Sequence, residues 1–84
     1  MDLGDLQKQI STGHAAARIM ADPTFVEAVK AVEEQLFLQW SQASFEEDQK
    51  HIHATMRGMR EFLRMLKAMI DSGKVSASIA DKRH

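Results

Sequence analysis

From Ile52 the chain sets apolar residues at Met56, Met59, Leu63, Leu66 and Ile70, in steps of four, three, four, three and four. That alternation keeps one stripe of an α-helix turned toward another helix. Upstream, Ser44-Phe45-Glu46-Glu47 has the S-x-x-E layout of a capping box. Downstream, Gly73 suits the left-handed position that closes many helices. These signals predict one helix over about 45–72, some 28 residues and roughly 42 Å at 1.5 Å per residue.

The boundary at Asp22-Pro23 is equally definite. Aspartate caps helix N-termini, and proline fits the first helical position because its missing N–H would have no partner there. A helix over 23–42 follows, with its stripe at Phe25, Val29, Val32, Leu36 and Trp40; Val26 and Phe37 broaden the stripe, and Leu38 falls off it. The link Ser41-Gln42-Ala43-Ser44 is too short for anything but a tight reversal, so 23–42 and 45–72 form an antiparallel hairpin with a longer second arm. Residues 1–21 read as a shorter N-terminal helix packed on that hairpin. Ser11-Thr12-Gly13 predicts a kink there, or two short helices, since glycine costs up to ~1 kcal/mol in a helix interior. The tail over 74–84 is small and polar and is expected to be frayed helix or disordered. The fold class is all-α, one domain over 1–84 with coiled-coil-like packing.

Around the long helix, the main seam leaves two flanks. One carries Lys50, His53, Arg57, Arg60, Arg64 and Lys67 at spacings of three and four, a basic stripe. The other carries Phe62, Met65 and Met69, a second apolar seam. Two seams need two partners: the preceding helix, and either the N-terminal helix or a second copy of the chain. With Leu38 and Trp40, the second seam is expected to serve self-association, because an exposed patch of this kind usually marks an interface. The six methionines read as adaptable core filler or as a plastic binding face. The basic stripe reads most plainly as solvated or set beside Glu27 and Glu34 of the neighbouring helix, where single pairs stabilise little. Nucleic-acid phosphates or an acidic protein are its alternative partners. Clustered cations alone are a weak signal, aromatics interleaved for base stacking are absent, and no helix-turn-helix pair is evident.

Composition narrows the chemistry. The chain is short, at 84 residues, and its 11 Lys+Arg against 12 Asp+Glu argue against generic polyanion binding but say nothing about local patches. It has no cysteine, which removes disulfides and thiolate metal sites. His51 and His53 point to opposite sides of a helix; Glu47 and His51 share a face but need further ligands for a metal. The glycines are isolated, with no phosphate loop, and no nucleophile elbow is present. No catalytic, cofactor or metal site is assigned and no enzyme activity is expected. No apolar run approaches a membrane span, and the acidic start Met1-Asp2-Leu3-Gly4-Asp5 is unlike a signal peptide, so a cytoplasmic protein is expected.

The order of Ala17, Ile19, Asp22, Pro23, Phe25, Trp40, Ser44, Asp48, Arg57, Leu63, Leu66, Ile70, Gly73 and Lys74 resembles small helical proteins encoded among the structural genes of tailed bacteriophages and prophages. The likeness spans Ala15 to Lys74. It implies a phage-related origin, a place in the bacterial host cell or on the virion, and a role in particle assembly, with a phage structural protein as partner. A small inhibitor docking on a host protein is the alternative. The resemblance transfers no functional residue.

Overall fold

A computed structural model describes residues 2–82. It contains three helices: α1 (Leu3–Ala21), α2 (Pro23–Gln42) and α3 (Glu46–Lys82). Asp22 separates the first two as its residue type dictates. Its Oδ1 accepts hydrogen bonds from Thr24 N at 2.8 Å and Phe25 N at 3.1 Å, so two donors at the start of α2 are satisfied. Asp22→Ala should cost about 1 kcal/mol, a fall of about 4–8 °C in the thermal midpoint measured by circular dichroism.

Two expected helix ends are absent. The 19-residue α1 runs unbroken through Gly13, and α3 has 37 residues rather than about 28, passing straight through Gly73. The tail expected to fray or be disordered is helix as far as Lys82; Arg83 and His84 lie outside the described residues. One fact explains both differences: the two glycines touch. A Cβ on Gly13 would lie 3.0 Å from Gly73 Cα and 3.0 Å from Met69 O. A Cβ on Gly73 would lie 3.0 Å from Gly13 Cα and 3.1 Å from Gln9 O. Neither glycine has a positive φ. They are helical residues that lack a side chain so that two backbones can meet. The capping box at Ser44 and Glu47 does not form among the described residues; Gln49 Nε2 spans the turn instead and donates to Ala43 O at 3.1 Å.

The register follows. Gly13 meets Gly73, and Ser76 Oγ donates to Gln9 Oε1, so α1 runs antiparallel to the C-terminal half of α3. Trp40 lies by Gln49 and His53, so α2 runs antiparallel to the N-terminal half. α1 and α2, 19 and 20 residues long, thus follow one another along the 37 residues of α3, and they share few contacts with each other. The molecule is a helical hairpin whose first arm breaks at Asp22-Pro23. It measures 61 × 25 × 14 Å.

One stripe of α3 faces both partners. Ile52, Met56, Met59, Leu63 and Ile70 are half-buried, Leu66 is buried, and the three–four alternation continues through Gly73, Ala77 and Ala80. On α1 the same alternation covers Leu6, Gln9, Gly13, Ala16 and Met20. Large side chains hold α2 away from α3, whereas small ones let α1 settle onto it, and most of the interhelical contact belongs to α1 and α3. The buried apolar residues are Leu6, Ala16, Leu36 and Leu66.

Candidate functional site

Because both α1 and α2 use the same stripe of α3, its two flanks stay open. On the apolar flank Phe62 is 57% exposed, Met65 45% and Met69 40%. Of the two partners expected for this seam, α1 or a second copy, α1 lies mainly on the other stripe and only borders it. The border is a groove of about 500 Å³ lined by Asp5, Lys8, Gln9 and Thr12 of α1 and Met65, Ala68, Met69 and Ser72 of α3. Ile79 extends the flank by heptad position and is exposed, a member missed because the helix was expected to end at Gly73. Gly58 is on this flank too. Nothing lies within 4 Å of where its Cβ would be, so no contact within the chain requires a glycine there.

Two residues assigned to that seam sit elsewhere. Trp40 borders the opposite flank, in a cleft with Glu46, Gln49, Lys50, His53, Ala54 and Arg57. Leu38 is exposed and lies two residues from the buried Leu36, which turns it away from α3. The large apolar side chains of that flank are therefore Phe62, Met65, Met69 and Ile79, and Trp40 belongs with the cations.

The basic flank is exposed along its length: Lys50, His53, Arg57, Arg60, Arg64 and Lys67. Its ion pairs are not those expected. Among the described residues no pair joins it to Glu27 or Glu34, which are exposed on α2. Lys50 Nζ instead meets Glu46 at 3.3 Å, one turn back on its own helix. Arg64 grips Glu61 through Nε and Nη2, at 3.0 and 2.5 Å. That hydrogen bonding, helped by the charge of Arg64, holds the Glu61 carboxyl below its usual range, and it raises Arg64 in turn. A depressed carboxylate supports the fold above its unfolded pKa and loses that support as pH falls through the folded one; here both groups are in water, which screens the effect.

Among the described residues no three His, Cys, Asp or Glu side chains are placed to hold a metal ion. Among the described residues no helix is long and apolar enough to cross a membrane. The described surface has an apolar flank and a cationic flank, with the aromatic rings of Phe37 and Trp40 at the edge of the second. No family model, curated protein or solved structure matches the chain.

Proposed function

We propose that this chain is a non-enzymatic assembly protein that associates with copies of itself through the flank of Phe62, Met65, Met69 and Ile79. The observation that carries the reading is surface area. A compact chain of 9.5 kDa exposes about 5,000 Å², whereas this one exposes 6600 Å². The difference, about 1,500 Å², exceeds the ~800 Å² that each partner contributes to a standard interface. The radius of gyration of 17.8 Å agrees, against about 12 Å for a compact domain of this length. A second copy set along α3 would cover the apolar flank and leave both cationic flanks outward. Gly58 fits the same picture, as a place where a partner's backbone could come close. The resemblance to tailed-phage structural genes makes particle assembly in a bacterial host the natural setting.

Light scattering tests the reading. A dimer or larger species is expected, dissociating on dilution. Phe62→Glu should weaken association roughly a hundredfold, from about 3 kcal/mol of lost burial at ~1.4 kcal/mol per tenfold. Its circular dichroism should be unchanged, since Phe62 is 57% exposed in the single chain. A mass of 9.5 kDa that is independent of concentration would overturn the proposal.

A further inference from the structure

The other flank is built differently. Two clefts adjoin at Trp40 and His53. One, of about 230 Å³, is lined by Phe37, Trp40, His53 and Met56 and is almost wholly apolar. The next, of about 430 Å³, brings Trp40 together with Lys50 and Arg57. Trp40 is 43% exposed and Phe37 63%, so flat aromatic surface is open to solvent where the cations begin. From Arg57 the line continues through Arg60, Arg64 and Lys67, one turn of α3 at a time, about 5–6 Å between neighbours. We infer that this flank binds single-stranded nucleic acid, with a base stacked against Trp40 and the following phosphates laid along the cations of α3.

A regularly spaced row of cations suits a ligand whose charge repeats regularly. Three of the row are arginines, whose planar fork grips phosphate oxygens in pairs. An aromatic face takes any base, so the site would read backbone and stacking rather than sequence. The pairs Lys50–Glu46 and Arg64–Glu61 are solvent-exposed and can exchange a carboxylate for a phosphate. The near-zero net charge does not oppose this. Among the described residues no ion pair joins the stripe to Glu27 or Glu34 of α2, and the carboxylates that do pair with it, Glu46 and Glu61, leave Arg57, Arg60 and Lys67 unpaired.

Trp40 is the only tryptophan, so its fluorescence reports on this site alone. The wild-type chain is titrated with labelled oligodeoxythymidine of about 15 nucleotides, following tryptophan quenching and probe anisotropy together. Saturable quenching is expected. The affinity should fall with salt at a log–log slope of about −2, from roughly −0.7 for each of Arg57, Arg60 and Lys67, which have no ion pair among the described residues. Arg57→Gln with Arg60→Gln should weaken binding about tenfold or more and flatten the slope. Trp40→Leu should weaken it about tenfold with little change in slope. The Phe62→Glu chain should still bind, so a failure of self-association leaves this inference standing. No anisotropy change at low salt would overturn it. So would unaltered binding by the arginine variants, or equal quenching by polyglutamate, which would assign the flank to an acidic protein.

Discussion

Gly73→Leu should lower the thermal midpoint by about 8–16 °C, a net loss of about 2 kcal/mol. Two terms oppose each other. Leucine is the better helix former by almost 1 kcal/mol. Against that, its Cβ would start 3.0 Å from Gly13 Cα and 3.1 Å from Gln9 O, both backbone atoms that no rotamer change can move. Overpacking of this kind costs up to about 3 kcal/mol, and here the cost falls on the crossing where α1 holds α3. Gly58→Ala is the control. It removes a helical glycine with nothing within 4 Å of the added methyl, so the isolated chain should gain about 1 kcal/mol and melt about 4–8 °C higher. Opposite shifts from two glycines of one helix would separate a glycine needed within the chain from one that is not. If Gly58→Ala stabilises the chain but weakens its assembly, the partner's backbone crosses at Gly58.

The same glycines mark how far the sequence could be read. Most local signals fixed by the chain itself appear in the structure, the capping box at Ser44 excepted: the seam from Ile52 to Ile70, the cap and break at Asp22-Pro23, and the tight reversal before Glu46. Each depends only on helical periodicity or on hydrogen bonds to near neighbours. By intrinsic preference alone, Gly13 and Gly73 predict a kink and a stop. Their actual role depends on each other, sixty residues apart, and propensity carries no trace of such a partner. A helix end at Gly73 would exclude Ile79 from the apolar flank and Ser76 as the partner of Gln9. Trp40 was misplaced for a different reason. Its position on α2 is a question of which flank of α3 it overhangs, and that depends on how two helices are rotated about their axes. Stripe spacing says which residues face a neighbour, not what lies beside them when they arrive.

Leu6→Ala should be the most damaging truncation, and its effect should spread to the far end of the chain. Leu6 is 0% exposed, the largest fully buried side chain. Emptying such a site costs about 2.7–5 kcal/mol. At ~0.05–0.15 kcal/mol per residue, 84 residues hold only about 4–13 kcal/mol in total. The register that sets Gly13 on Gly73 and Gln9 beside Ser76 carries Leu6 to the level of Ala80, among the small residues ending α3. Ser76 there is buried and Ala77 and Ala80 are half-buried, but their side chains are too small to bury much apolar area, and Val75 in the same stretch is 60% exposed. The last three turns of α3 are therefore helical because α1 lies on them. Hydrogen exchange on Leu6→Ala should show protection lost together in α1 and in α3 beyond Ile70. The hairpin around Leu36 and Leu66 should keep its protection longer. Leu36→Ala should show the converse, loosening α2 while the Gly13–Gly73 crossing persists. Equal loss everywhere in both variants would mean that the hairpin folds as one cooperative unit, with Asp22-Pro23 a bend in an arm rather than a seam between two separately stable halves.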